Sequence, residues 1–309
     1  MNLLSVASAL AVILTVLPSP ARAYNILALD MGGYWNDLSD QYIGARAGYG
    51  APGLEGERWY TMVDDQDFRT VDLMRYDVLL VQSGFTDDWV TSASERALEA
   101  LGTRTSDLSS FLAAGRGLVA MAQPLPDGVI HDWTWSPVSL ASHGVWHENL
   151  VEVTGAGHPA MRGQSSESLS GWQSSWHGWF ESWDPSLQVI ARTGDYGDGD
   201  PRTGRPVTLA SDPAAVGGRL FFSLQDPDYH AYQGVEGAKG MMQGALDWAG
   251  TRPVPEPRSG LLLLAGVAAL AWPALRSRMR GAKRRAGCAS GSPGPAAGVR
   301  TDRPVSREW

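Results

Sequence analysis

Short apolar runs alternate with amphipathic segments between residues 24 and 250. The runs at 78–82 and 118–121 are almost continuously apolar, which is typical of strands buried on both faces of a parallel sheet, and the run at 24–29 is a further strand candidate. Segments with helical spacing separate the later runs, and strands that alternate with helices predict an α/β sheet with right-handed crossovers. Further strands are predicted at 58–63, 149–153, 187–191, 207–210 and 219–224.

Three helices are predicted among these strands. The first surrounds Glu95, whose neighbours form a polar side. The second has apolar residues at helical spacing, is expected to be capped by Ser106 or Asp107, and ends at the glycines of residues 115–117. The last helix is predicted near residues 239–248.

The first 23 residues have the pattern of a signal peptide. An apolar run is followed by two prolines and by Ala21 and Ala23, small residues that a signal peptidase accepts. We therefore predict cleavage between Ala23 and Tyr24 and export of the chain. An uncleaved membrane anchor or a buried first helix is the alternative.

The C-terminal region has three parts in a fixed order. Val254, Pro255, Glu256 and Pro257 form an extended motif, an apolar run follows, and a cluster of Arg and Lys comes after it. This order predicts a linker at 251–258, a transmembrane helix at 259–275, and a basic cluster with a disordered tail at 276–309.

This three-part C-terminus resembles the PEP-CTERM sorting signal. The resemblance implies processing by an exosortase-type enzyme, in a Gram-negative bacterium that makes extracellular polysaccharide. The chain would be anchored by its C-terminal helix before processing and would lie at the cell envelope or outside the cell. An ordinary C-terminal anchor is the alternative, and it leaves the location unchanged.

Charge divides the chain in the same way. The net charge is −8, but residues 24–250 hold 30 acids and 13 bases, whereas the remaining segments hold 3 acids and 12 bases. A strongly acidic body excludes nucleic acid as its main partner. The single cysteine, Cys288, lies in the tail, so neither an intramolecular disulfide nor a cysteine-based zinc site can hold the fold together.

Residues 131–183 differ in composition from the rest of the body, since they hold seven of the thirteen tryptophans and five of the six histidines. Indole rings in such an insert either pack in the core or form a stacking platform for sugar rings. Both interpretations stay open at this point. The candidate binding residues are Gln82, Gln123, Trp133, Trp135, Trp176 and Trp179.

Three short segments of the body carry a second resemblance. Residues 112–119, 158–163 and the pairing of 206–209 with 217–222 resemble the class I glutamine-amidotransferase-like superfold, in its trehalose-utilisation (ThuA-like) branch. The resemblance implies a flavodoxin-like, mostly parallel sheet flanked by helices, here with the Trp- and His-rich insert. It also places the nucleophilic cysteine of true amidotransferases on the turn at 121–124, which has neither a thiol nor a hydroxyl in this chain. Glutamine hydrolysis by that mechanism is therefore excluded.

Ligands in open α/β sheets lie beyond the carboxyl ends of the strands. Asp30, Asp226 and His230 are the acid–base candidates there, because a carboxylate can orient an imidazole. A structural role for His230 in its loop is the alternative. Ser83 is a weaker nucleophile candidate, and its alternative role is to tie down a loop.

Two metal interpretations follow from spacing. Asp195, Asp198 and Asp200 offer carboxylates in one turn, which could bind Ca²⁺ or simply be solvated. His143 and His147 would share a face if their segment were helical, but Gly144 and β-prone neighbours argue against a helix. No other cofactor is predicted.

The function these features favour is that of an exported envelope protein with a noncatalytic amidotransferase-like domain that binds extracellular polysaccharide or other matrix components. A ThuA-like sugar-processing enzyme and a structural protein of a biofilm matrix are the alternatives.

Overall fold

A computed structural model describes residues 24–32, 58–84, 93–121, 133–212 and 217–251. The chain divides into two units, Met1–Pro253 and Val254–Trp309, and every described residue belongs to the first. The predicted signal peptide, the sorting motif, the 259–275 segment, the tail and Gln123 all lie outside the described residues.

The described chain folds into ten strands and six α-helices. The strands are β1 (Tyr24–Leu29), β2 (Arg58–Val63), β3 (Val78–Val81), β4 (Gly117–Met121), β5 (Leu140–Glu148), β6 (Val151–Val153), β7 (Trp176–Trp183), β8 (Leu187–Thr193), β9 (Pro206–Ser211) and β10 (Arg219–Ser223). The helices are α1 (Asp65–Phe68), α2 (Ala93–Gly102), α3 (Thr105–Ala113), α4 (Ser166–Leu169), α5 (Pro227–Tyr232) and α6 (Glu236–Gly250). Short 3₁₀ helices lie at Leu73–Arg75 and Pro159–Met161.

Eight strands form one mixed sheet in the order β2-β1-β3-β4-β10-β9-β8-β6. The first five strands run parallel to one another, whereas β9, β8 and β6 extend the sheet through antiparallel pairs. The prediction of a large, mostly parallel sheet flanked by helices is confirmed. Its antiparallel edge follows from the short connections between β8, β9 and β10, which leave no room for crossover helices.

Both faces of this sheet are covered, as continuous apolar strands require. Ile26 and Leu80 belong to the hydrophobic cluster beneath α6, while Leu27 and Leu79 belong to the cluster beneath α2 and α3. Because side chains alternate between the two faces along each strand, each strand contributes residues to both hydrophobic cores.

The Trp- and His-rich insert contributes a second, two-stranded antiparallel sheet of β5 and β7. The segment from His143 to His147 lies in β5, so the helical face considered for these two histidines is wrong. Gly144 pairs with Gly178, and a Cβ at Gly178 would overlap the backbone carbonyl of His143. The two backbones therefore approach more closely than side chains would allow.

The prediction that Ser106 or Asp107 caps the second predicted helix is also wrong. Helix α3 begins at Thr105, and its N-cap position is Arg104, which makes no side-chain cap hydrogen bond. The guanidinium of Arg104 instead donates to the backbone carbonyls of Phe68 and Val71, each at 2.7 Å, and this anchors the chain two residues before Ser106. Gly115 ends the helix as predicted, in the left-handed region at φ 76°.

Among residues 24–251 outside the gaps named above, no helix is long and apolar enough to cross a membrane.

Candidate functional site

The carboxyl ends of the parallel strands and the connection between β8 and β9 lie at the same edge of the main sheet. The parallel strands β1, β3, β4 and β10 all present their carboxyl ends there. Ser223, at the end of β10, pairs with Thr208 near the start of β9, so the connection from β8 to β9 reaches this edge as well. The edge is thus the natural position for a ligand site.

A buried cluster of two imidazoles and one carboxylate lies at this edge. His177 comes from the start of β7, Asp226 follows β10, and His230 lies on α5. The Nε2 atoms of His177 and His230 lie 3.1 Å and 3.3 Å from Oδ1 of Asp226. Relative exposures are 3%, 0% and 1%, so solvent does not reach these groups.

The charge of Asp226 depends on its two imidazole neighbours. Burial by itself raises the pKa of a carboxyl, but the charges and polar contacts of His177 and then His230 outweigh it, and the pKa of Asp226 lies below its ordinary value. The carboxylate is therefore held ionised in the interior of the protein. A buried anion of this kind needs cationic or metallic partners.

A tight loop covers His230. Its Nε2 lies 2.9 Å from the backbone carbonyl of Ser174, and the ring of Trp172 packs 5.3 Å from the imidazole, centroid to centroid. Gln173, between these two residues, has φ 77°, a left-handed backbone conformation that is unusual for a residue other than glycine. The predicted proximity of His230 to an acid is thus present, but tryptophan and backbone close over it.

Other predicted residues at this edge tie the strand ends together. The Ser83 hydroxyl donates to Oδ1 of Asp228 at 2.6 Å, and its backbone N–H donates to Oδ2 at 3.0 Å. Gln82 donates from Nε2 to the carbonyl of Leu29 at 3.1 Å, and Asp30 accepts from the N–H of Gly32 at 2.7 Å. These contacts give Ser83 the loop-fixing role considered as its alternative.

The four tryptophans named as binding candidates occupy different environments. Trp133, Trp135 and Trp176 are core residues with exposures of 6%, 2% and 0%. Their rings pack inside the protein, so they cannot offer a face to a sugar. Trp179 is partly buried, and its ring stacks on the imidazole of His143 with 4.4 Å between the ring centroids. The guanidinium carbon of Arg205 lies 5.7 Å from the centroid of the same indole ring.

An open cavity of about 410 Å³ lies between β7 and the 194–205 connection. Trp183 and Phe180 give it aromatic walls, while charged side chains approach from the other sides. The charged lining residues are Glu181, Arg192, Asp200 and Arg205, and the remaining lining residues are Pro201, Thr203, Gly204 and Pro206.

The carboxylates predicted to bind calcium lie in the connection beside this cavity. Asp200 binds Arg202 through both oxygens, at 3.0 Å from Nε and 2.7 Å from Nη2, and these hydrogen bonds lower the pKa of Asp200 to about 2. Asp195 accepts from the N–H of Gly197 at 2.8 Å, while Asp198 is exposed. Calcium binding here stays a prediction, and it would have to compete with Arg202 for Asp200.

Sequence reasoning did not find His177. Asp226 and His230 are one helical turn apart, whereas His177 reaches them only because its backbone N–H donates to the carbonyl of Leu224 at 2.9 Å, next to the end of β10. That contact joins two sheets and has no local signature in the chain.

No protein-family model and no curated protein matches the chain. Among solved structures, it is similar to a protein described as ThuA-like from Bacteroides uniformis, at 12% identity and a TM-score of 0.43, over 79% of this chain and 96% of that one. It is also similar to a protein described as ThuA-like from Parabacteroides merdae, at 14% identity and a TM-score of 0.39, over 77% and 94% of the two chains. A glutamine amidotransferase from Thermotoga maritima matches at 8% identity and a TM-score of 0.45, over 74% and 99%. Similarities this weak carry no conclusion about activity.

Proposed function

We propose that the chain is an exported protein whose α/β domain binds extracellular polysaccharide without chemically changing it. An exosortase-type enzyme would hold it at the cell envelope or release it there. The observation that supports binding is the cavity of about 410 Å³ with Trp183 in its wall, beside the connection from β8 to β9 at the edge where the parallel strands end.

The cavity has the chemistry that a sugar requires. A pyranose ring presents apolar C–H faces, which suit the ring of Trp183, and hydroxyl groups, which need both donors and acceptors. Arg192 and Arg205 supply planar arrays of N–H donors, and Glu181 supplies acceptor oxygens. The cavity volume also falls within the range of about 300–1,000 Å³ found for small-ligand sites.

Three features oppose catalysis by this domain. The turn at 121–124 lacks the thiol of an amidotransferase. The acid–base pair of Asp226 and His230 is buried and does not line the cavity. Asp200 does line it, but its pKa of about 2 keeps it ionised at neutral pH, so it cannot serve as a proton donor to a glycosidic oxygen.

The charge pattern supports the proposed location. The acidic body, with 30 acids against 13 bases, would be repelled by anionic lipid, whereas the basic cluster after the apolar run would stay on the cytoplasmic side until processing. Divalent cations could then bridge the acidic surface to anionic polysaccharide.

A screen of the purified full chain on a glycan array tests this proposal. We expect retention of one or more polysaccharide fragments and no cleavage of the retained glycans after prolonged incubation. Absence of every glycan signal would contradict the binding proposal.

A sugar-processing enzyme is the second candidate, and the convergence of His230 and Asp226 favours it. Hydrolysis of a retained glycan by the wild type, lost in His230→Ala, would establish this activity and overturn the noncatalytic proposal. His158→Ala, which alters a buried histidine elsewhere, is the matched control.

A further inference from the structure

The cluster of His177, Asp226 and His230 differs from an ordinary buried hydrogen-bonded pair. Two imidazole nitrogens approach the same carboxylate oxygen, at 3.1 Å and 3.3 Å. Among the described residues, however, neither oxygen of Asp226 accepts a hydrogen bond of ordinary geometry. Nε2 of each imidazole and Oδ1 of Asp226 therefore converge on one buried space.

The spacing of these atoms matches that of ligands around a metal ion. One ligand atom from each side chain lies within 4.8 Å of the other two. In a tetrahedral zinc site, bonds of about 2.0–2.1 Å place neighbouring ligand atoms about 3.3 Å apart. The separations from Oδ1 of Asp226 to the two Nε2 atoms, 3.1 Å and 3.3 Å, are close to this value.

The ligand types select the class of metal. Two imidazoles with one carboxylate suit Zn²⁺ and related transition-metal ions, whereas Ca²⁺ and Mg²⁺ prefer sites made of oxygen atoms alone. The backbone carbonyl oxygen of Ser174 lies 2.9 Å from Nε2 of His230 and is a candidate fourth ligand. A set of four protein ligands would be that of a closed structural site, not of a catalytic site with an open position.

We propose that His177, Asp226 and His230 bind one divalent transition-metal ion, with Zn²⁺ as the preferred ion. The ion would join three elements, because the ligands come from the start of β7, from the segment after β10 and from α5. It would fix the two-stranded sheet of β5 and β7 on the main sheet. It would also neutralise a carboxylate with 0% exposure, whose burial would otherwise be costly.

Metal content tests the proposal directly. The purified full chain is loaded with Zn²⁺, desalted and analysed by mass spectrometry of the elements, beside the variants His177→Gln, Asp226→Asn and His230→Gln. His158→Gln is the matched control, because His158 is a buried histidine bound to the carbonyl of Ser211, away from the cluster. We expect about one ion per chain in the wild type and the control, and at least a fivefold loss in the cluster variants.

A second measurement on the wild type does not depend on the folding of any variant. A chelator should lower the unfolding temperature and added Zn²⁺ should restore it, because an ion that binds only the folded state stabilises that state. Replacement by Co²⁺ should give the visible absorption of tetrahedral coordination. A wild type that holds no ion after loading, an unfolding temperature unmoved by chelation, or cluster variants that keep the full metal content would each overturn the proposal. No glycan enters these measurements, so their outcome is independent of the carbohydrate proposal.

Discussion

The buried side chain of His158 couples the stability of the fold to pH. Its Nδ1 accepts the N–H of Ala160 at 3.2 Å, and its Nε2 lies 3.1 Å from the carbonyl of Ser211, a pairing that the neutral imidazole satisfies. Burial lowers the pKa of His158, although the carbonyl of Ser211 and the charge of Asp212 oppose the shift. Arg219 adds to the lowering.

A lowered histidine pKa makes the unfolded chain bind the proton first as the pH falls. The contribution of His158 to the free energy of unfolding is therefore complete above its ordinary pKa of about 6.5 and is lost as the pH falls from there through the folded value. Denaturant unfolding between about pH 7.5 and pH 5 measures this slope. His158→Gln should be less stable at pH 7.5 but show a shallower slope, and an unchanged slope would contradict this role.

Gln173 carries a conformational cost that glycine would not. A left-handed residue with a side chain costs roughly 1–2 kcal/mol, and Gln173 is exposed with φ 77°, so Gln173→Gly should raise the free energy of unfolding by about 0.5–1 kcal/mol. Gln188→Gly is the control, since Gln188 is an exposed residue of the extended strand β8, where glycine should destabilise. Equal effects of the two substitutions would show that Gln173 is not strained.

Contacts between individual residues can be predicted from the sequence when the two residues are close in the chain. The spacing of Asp226 and His230 indicated their contact, and the structure has it. His177 joins them from another sheet, and no spacing rule relates it to either residue. The tryptophans show the same limit, because composition alone cannot separate Trp176, which is buried, from Trp183, which lines a cavity.

Helix α6 packs against α4 through a glycine that leaves no room for a side chain. A Cβ at Gly237 would overlap the backbone carbonyl of Ser168 in α4, whereas a Cβ at Gly240 would meet only the end of the Gln164 side chain. The backbone cannot move as a side chain can. The contact between α4 and α6 thus depends on glycine at one position and not at the other.

Gly237→Ala should therefore lower the free energy of unfolding by about 2 kcal/mol through overpacking. Gly240→Ala, in the same helix, should be neutral or stabilise by up to about 1 kcal/mol, since alanine favours the helix more than glycine does. Thermal and denaturant unfolding of the two variants checks this difference. Equal destabilisation by both would contradict the packing argument.

Elements with strong local patterns were predictable from the sequence. The apolar run of β3 and the glycine at position 115 both gave correct predictions because burial on two faces and a left-handed turn leave direct traces in the chain. The start of α3 was not predictable, because the side chain of Arg104 is fixed by backbone carbonyls more than thirty residues away in the chain. The antiparallel extension of the sheet likewise depends on pairing between distant strands.

The whole molecule is divided by charge into an acidic body and basic ends, and the sorting proposal depends on that division. Replacement of Pro255, Glu256 and Pro257 by alanine should leave the protein membrane-anchored and unprocessed in a Gram-negative host that has an exosortase. Cell fractionation and the mass of the mature chain measure this. Glu236→Ala, an exposed acid of the body, is the control, and equal processing of both variants would contradict the sorting proposal.

Trp183 lines the cavity in which we propose that the domain binds polysaccharide. The most direct test is the dissociation constant for the glycan most strongly retained on the array, measured for the full chain, for Trp183→Ala and for Tyr232→Ala, an exposed aromatic away from the cavity. We expect a loss of about tenfold or more for Trp183→Ala, equivalent to about 1.4 kcal/mol, and no change for Tyr232→Ala. An unchanged dissociation constant in Trp183→Ala would contradict polysaccharide binding in this cavity.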